Sequence, residues 1–160
     1  MSDLSAAVLT VSDGVSHGTR EDRSGDVLAE LLTSAGFTVL DRRVVADDAD
    51  AIGNALRLLA ESARFVVSTG GTGFGPRDVT PEATRAVIDR EAPGLVHLML
   101  ARGLESTPMA ALTRGVAGSL GRSLIVNLPG SPKGASENLT AILALVPHVL
   151  DLLAGDTEHP

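Results

Sequence analysis

The chain contains no cysteine, no tryptophan and no tyrosine, and a single lysine, Lys133. Without cysteine, disulfides, thiolate zinc sites and thiol nucleophiles are excluded, and the composition is compatible with the cytoplasm. Aromatic residues make up 2%, all of them phenylalanine, so the core must be built from aliphatic side chains and alanine. There is no basic block and the net charge is −7, which argues against nucleic acid or an anionic membrane as the main partner. No apolar run approaches the ~20 residues needed to cross a bilayer. The first residues, Met1-Ser2-Asp3-Leu4-Ser5, place an acid where a secretory signal has its basic region. What remains, 44% hydrophobic and 21% charged over 160 residues, fits one domain with a sizeable core, about residues 4–154.

Strand and helix patterns alternate along that core. Short apolar runs at 6–11, 37–45, 65–68 and 123–128 read as strands. Helical spacing of Val27, Leu28, Leu31 and Leu32, and of Ile52, Leu56, Leu59 and Ala60, predicts helices over 24–35 and 48–63. A further helix is expected over 80–91, with Thr80 as its cap and Pro81 in its first turn. Residues 95–104 read as helical, and 106–119 carry no clear period. The stretch 135–154 predicts one long helix bent near Pro147, and 155–160 a frayed tail. Strands separated by single helices imply βαβ units, hence a three-layer αβα sandwich around a mostly parallel sheet.

Ligands in such sheets sit beyond the carboxyl ends of the strands. The loops leaving strand ends are 12–25, 69–78 and 129–134, and they line one pocket if their parent strands are neighbours. The middle loop carries most information. Thr69-Gly70-Gly71-Thr72-Gly73 follows a buried strand, ends at the rim Arg77-Asp78, and opens a helix at Thr80-Pro81. Bare backbone before a helix N-terminus is a construction suited to phosphate. It is neither a P-loop, since no Gly-Lys-Ser/Thr follows, nor a dinucleotide fingerprint, since the last glycine would fall at Pro76.

Around this loop each residue admits two readings. Asp78 can cap a helix, or orient a phosphate with a cation between them. Arg77 can neutralise phosphate or stand in solvent. Asp47 and Asp48 read locally as ordinary acids at a helix start, and Asp13 as a turn residue beside Gly14. Lys133, inside Pro-Gly-Ser-Pro-Lys-Gly, is a phosphate contact or a chance survivor among 12 arginines. Phe74 packs over a ring or anchors its loop. His17, in a polar loop rich enough to be mobile, has no partner at a metal spacing, and no zinc site or Ser/His/Asp triad is readable.

Taken together, Thr69-Gly70-Gly71-Thr72-Gly73 with Arg77-Asp78-Val79-Thr80-Pro81-Glu82-Ala83-Thr84, Val11-Ser12-Asp13, Val45-Ala46-Asp47-Asp48 and Asn127-Leu128-Pro129-Gly130-Ser131-Pro132-Lys133 resemble the molybdenum cofactor biosynthesis proteins of the MogA/MoaB type. The resemblance runs in order over about residues 4–154. It implies a molybdopterin adenylyltransferase, in which Mg²⁺ assists transfer of AMP from ATP to the terminal phosphate of molybdopterin. By position, Asp47 and Asp78 match the two aspartates such proteins need for catalysis, with Mg²⁺ binding and phosphate orientation as their roles. Asp13 and the run Thr69, Gly70, Gly71, Thr72 and Gly73 would hold nucleotide or phosphate. Ser131 and Lys133 would stand on the pterin-phosphate side. The resemblance further implies a homotrimer, or a hexamer for the MoaB type, and a molybdenum insertase as partner. Two alternatives stay open: a MoaB-type protein that binds molybdopterin without adenylylating it, and a nucleotide-cleaving domain of the competence-damage type.

Overall fold

The computed structural model describes residues 3–157. Its elements are β1 (Ser5–Val11), α1 (Asp13–Ser16), α2 (Arg23–Ser34), β2 (Thr38–Val45), α3 (Ala49–Ser62), β3 (Phe65–Thr69), α4 (Thr80–Arg85), β4 (Arg90–Glu91), α5 (Pro93–Ser106), a 3-10 turn (Pro108–Leu112), β5 (Ala117–Leu120), β6 (Ser123–Leu128), α6 (Pro132–Leu143) and α7 (Val146–Leu153). The six strands form one sheet in the order β2-β1-β3-β6-β5-β4. The first four pair in parallel, and β5 and β4 complete the sheet antiparallel.

Strand alternation sorts the core onto two faces. From β1, Ala6 and Val8 join Phe65, Val67 and Val126 under α2, α5, α6 and α7. Ala7, Leu9 and Val11 join Val66 and Ile125 under α3 and α4. The result is the expected three-layer sandwich. Strands β1, β3 and β6 are buried from end to end, which is why they read as continuous apolar runs. Phe37 and Phe65 meet at 5.6 Å between ring centroids, and the rest of both faces is aliphatic.

Three segments differ from the sequence-based expectation. The helix starting at Thr80 stops at Arg85, because Asp89 and Ala92 donate backbone hydrogen bonds to Ser119 (2.7 Å) and Ala117 (2.8 Å) of β5. The long C-terminal helix begins earlier, at Pro132, where Ser131 accepts from the Gly134 amide and caps it. It also divides into α6 and α7 with a 61° bend, and Pro147 sits in the first turn of the second segment. The polar stretch after β1 is held in place by α1 and by Asp22, which caps α2 and accepts from Thr10 and Arg42. The end of the expected tail, residues 158–160, lies outside the described residues.

Candidate active site

The chain runs from β1 outward to β2, then returns across β1 to β3, so the order reverses between β1 and β3. In open α/β sheets this is where a crevice opens beyond the strand ends. The loops after β1, β3 and β6 do converge there. The Gly70 amide donates to the Leu128 carbonyl at 3.2 Å, and the Thr69 hydroxyl to the Pro129 carbonyl at 2.7 Å. Gly70 has φ +101, and a Cβ on it would stand 2.2 Å from the Val11 carbonyl oxygen. The three loops meet too closely for any side chain at that point.

Two aspartates lie across this junction. The Asp13 amide donates to Asp47 Oδ2 at 2.9 Å, and the Asp47 amide donates to Asp13 Oδ1 at 3.0 Å. The end of β1 and the end of β2 are thus clasped by a reciprocal pair. Arg77 closes the clasp from the opposite loop, with Nε and Nη2 each 3.0 Å from an Asp13 oxygen. That bidentate contact holds the Asp13 carboxyl below its ordinary range. Asp13 is therefore the first residue of α1 and an ion-pair partner rather than a turn residue. Arg77 is committed to a carboxylate rather than free for phosphate.

Asp47 behaves in the opposite sense. Burial raises its pKa above the ordinary carboxylate value, the Asp13 amide opposes this, and the charges of Asp13 and Asp78 add to the rise. Asp78 sits in a tight turn, its Oδ2 accepting from the Gly75 amide at 2.9 Å. A Cβ on Gly73 or Gly75 would come within 3.0 Å of that oxygen. Asp47 and Asp78 line one cavity of about 620 Å³, together with Ser12, Arg20, Gly70 and Ser131. Across a shared rim of Gly71, Asp78, Gly130 and Ser131 lies a second cavity of about 480 Å³, walled by Met99, Leu100, Met109 and Leu112.

Side chains hold the glycine loop from below and above. From below, Asn127 Nδ2 donates to Ser68 (2.9 Å) and Thr84 (3.0 Å), Thr84 donates to the Thr80 carbonyl (2.8 Å), and Thr80 donates to the Gly70 carbonyl (2.9 Å). Thr80 thus belongs to the site rather than capping a helix. From above, Arg114 donates to the carbonyls of Gly73 (2.7 Å) and Asp78 (2.9 Å), pairs with Glu82, and lies 5.7 Å from the centre of the exposed Phe74 ring. Nothing local marks Arg114 in the sequence. Its only signal is position, one arginine in an otherwise uncharged stretch after the 3-10 turn.

The remaining candidates divide. Thr69 is 1% exposed and its hydroxyl is used within the fold, so it builds the loop rather than offering itself to a ligand. Gly71, Thr72 and Gly73 face the second cavity. Ser131 lines both cavities, while Lys133 lies in the first turn of α6, largely exposed, 3.9 Å from Glu137.

Among the described residues no group of three or more His, Asp or Glu is arranged to hold a metal by itself. Asp47 and Asp78 still fit a Mg²⁺ ion shared with a substrate. Each commits one carboxylate oxygen to a backbone amide and leaves the other for the cavity. Mg²⁺ is commonly held by one or two carboxylates, with substrate phosphates and water completing its shell.

Residues 7–148 match the family model described as "Probable molybdopterin binding domain". A molybdopterin adenylyltransferase of Helicobacter pylori strain J99 is 39% identical over 160 residues, covering 98% of this chain and 91% of that protein. The molybdenum cofactor synthesis protein cinnamon of Drosophila melanogaster is 41% identical over 162 residues, 99% of this chain but 27% of the fly protein. In structure, the molybdopterin biosynthesis enzyme MoaB from Thermus thermophilus superposes with a TM-score of 0.89 at 49% identity, covering 95% of this chain and 97% of that one.

Proposed function

The chain belongs to the molybdopterin-binding domain family, and from that premise we propose that it is a molybdopterin adenylyltransferase. The reading carries over the activity named for relatives that match nearly end to end. The observation that supports it best is that Asp47 and Asp78 face one polar cavity, with Asp78 also on the rim that this cavity shares with the apolar one. In the proposed reaction an oxygen of the terminal phosphate of molybdopterin attacks the α-phosphorus of ATP. The bond to the bridging oxygen breaks, and pyrophosphate leaves with that oxygen. Such transfers need positioning and charge neutralisation more than a covalent nucleophile, and carboxylates and bare loops are what the site offers.

Each residue then has a task. Asp47 and Asp78 would hold the metal and orient the reacting phosphates, and a bound Mg²⁺ would neutralise phosphate charge. Gly70 and Gly71 let the three loops close on one another beneath the proposed phosphate site. Asp13 fixes Asp47 through the reciprocal amide contacts, and Arg77 fixes Asp13. Ser131, on the shared rim, stands where the two substrates meet. The fly relative extends well beyond the matched stretch, and a metal-inserting partner, fused or separate, is proposed as the recipient of the product.

The test is turnover with molybdopterin, ATP and Mg²⁺, following pyrophosphate and adenylylated product together. Stoichiometric release of both supports the transferase. Tight molybdopterin binding with neither product leaves a binding protein of the MoaB type instead.

A further inference from the structure

Most cations around the crevice are already engaged. Arg77 is bound to Asp13, Arg114 to two carbonyls and Glu82, and Lys133 stands by Glu137 on the apolar side. Two arginines line the polar cavity, Arg20 and Arg23. Arg23 leans on Glu21 at 3.7 Å. Arg20 is exposed and pairs with no carboxylate among the described residues.

The fold nevertheless fixes where Arg20 stands. Gly18, at φ +76, turns the chain back after α1. The amide and the hydroxyl of Thr19 then both donate to the Gly14 carbonyl, at 2.9 and 3.1 Å. The stem of Arg20 lies across Gly14, so close that a Cβ on that glycine would stand 3.3 Å from the Cβ and Cδ of Arg20. Two residues further on, Asp22 is held by the Thr10 hydroxyl, the Gly25 amide and Arg42. The stem is thus placed by the fold, and the guanidinium is left to the cavity.

The two signs of charge enter that cavity from different sides. Arg20 and Arg23 belong to the segment leading into α2, which covers one face of the sheet. Asp47 and Asp78 lead into α3 and α4, on the other face. A triphosphate lying across the strand ends meets both. In adenylyl transfer the electron pair of the broken bond stays on the bridging oxygen, so negative charge grows on pyrophosphate. The carboxylates repel that charge unless a cation stands between. A guanidinium suits it directly, with five donors in a planar fork and a proton that is never lost.

Resting on the transferase reading above, we propose that Arg20 is a catalytic residue that binds the β- and γ-phosphates of ATP and neutralises pyrophosphate as it leaves. It gives hydrogen bonds and transfers no proton. The α-phosphate stays on the carboxylate side, so Arg20 acts on the group that departs and not on the group transferred.

The test is calorimetric titration of the full chain with pyrophosphate and with AMP, each with Mg²⁺, repeated for Arg20→Gln, Arg20→Lys and Arg23→Gln. Arg20 is exposed, so the melting curves should match the parent. Arg20→Gln should weaken pyrophosphate about tenfold or more, the loss expected for charged hydrogen bonds, and leave AMP affinity unchanged. Arg20→Lys should recover part, because it keeps the charge but not the fork. Arg23→Gln should lose clearly less, since Glu21 already offsets that charge. In turnover, kcat/KM for ATP should fall in step for Arg20→Gln while KM for molybdopterin stays put. Added salt should weaken pyrophosphate binding more in the parent than in Arg20→Gln. Unchanged pyrophosphate affinity in Arg20→Gln would overturn the proposal. So would an equal loss of AMP affinity, which would move the contact to the α-phosphate or the nucleoside, or an equal loss in Arg23→Gln, which would reduce it to general surface charge. The two readings fail separately. A parent that binds pyrophosphate through Arg20 but transfers no AMP sinks only the transferase. Normal pyrophosphate binding and normal ATP kinetics in Arg20→Gln sink only this assignment.

Discussion

The two halves of the crevice are built on opposite plans. In the polar half almost every group is already engaged with another: Asp13 with Arg77 and the Asp47 amide, Thr69 with Pro129, Thr10 with Asp22. In the apolar half the polar groups are few, and the wall is Met99, Leu100, Met109 and Leu112. The contrast follows from the two jobs. Charges that must act on a reacting phosphate are worth most when fixed beforehand, because no reorganisation is needed as the reaction proceeds. An apolar wall instead offers shape and contact area, which suit a ring better than a charge.

Removing charge from the polar half tests that division most severely. Asp47→Asn or Asp78→Asn should lower kcat on the order of 10²-fold, the scale seen when a fixed electrostatic group is removed. Melting temperature and molybdopterin affinity should hardly move, because the asparagine oxygen can still accept from the backbone amide each aspartate now uses. A parallel loss of molybdopterin binding would dissolve the distinction between the halves.

Next in size is the junction itself. Gly70→Ala forces a Cβ toward the Val11 carbonyl at a left-handed φ. Backbone strain and overpacking each cost about 1–3 kcal/mol, which lowers the melting temperature by roughly 10 °C in a domain of this size. Gly121→Ala, also at positive φ but with nothing within 4 Å, should cost clearly less. Equal losses at the two positions would mean that loop convergence adds nothing to ordinary backbone strain.

Arg114 bridges the halves, since the carbonyls it holds belong to Gly73, on the apolar side, and Asp78, on both. Arg114→Ala should lower kcat about tenfold, the effect of roughly 1.4 kcal/mol in transition-state stabilisation. Arg114→Lys should recover only part, because one ammonium cannot span both carbonyls and Glu82. A change in melting temperature with kcat intact would make Arg114 a structural brace only.

How much of this was readable beforehand depended on the range of each interaction. The buried strands and the layered architecture were legible because they rest on local apolar runs and alternation. So was the glycine loop, because its backbone demands are local. The early end of α4 was not, since it depends on hydrogen bonds between residues 89–92 and β5. Asp47 read locally as one more acid at a helix start, and only its family resemblance pointed to catalysis. Its clasp with Asp13 joins positions 34 residues apart. Arg77 showed the converse failure: a cation beside a phosphate loop invites a phosphate reading, and the fold spends it on Asp13.

That ion pair supplies the smallest effect and the sharpest probe of the polar half. Burial, with the charges of Asp13 and Asp78, holds the Asp47 pKa above the ordinary value of 3.8. If transfer needs Asp47 ionised, kcat falls as pH drops through that raised value, so the acid limb lies above the pH at which a free aspartate would titrate. Asp13→Asn removes one negative charge but keeps the backbone amide that donates to Asp47. The carboxylate of Asp47 is then easier to ionise, and the limb moves to lower pH. Arg77→Ala removes a positive charge that favours the ionised form, so the limb moves to higher pH. Both displacements should shrink as salt is added, since Arg77 is largely exposed. Opposite shifts would show that the clasp tunes Asp47 electrostatically, whereas shifts of the same sign would show that it acts only by holding the β1 and β2 ends together.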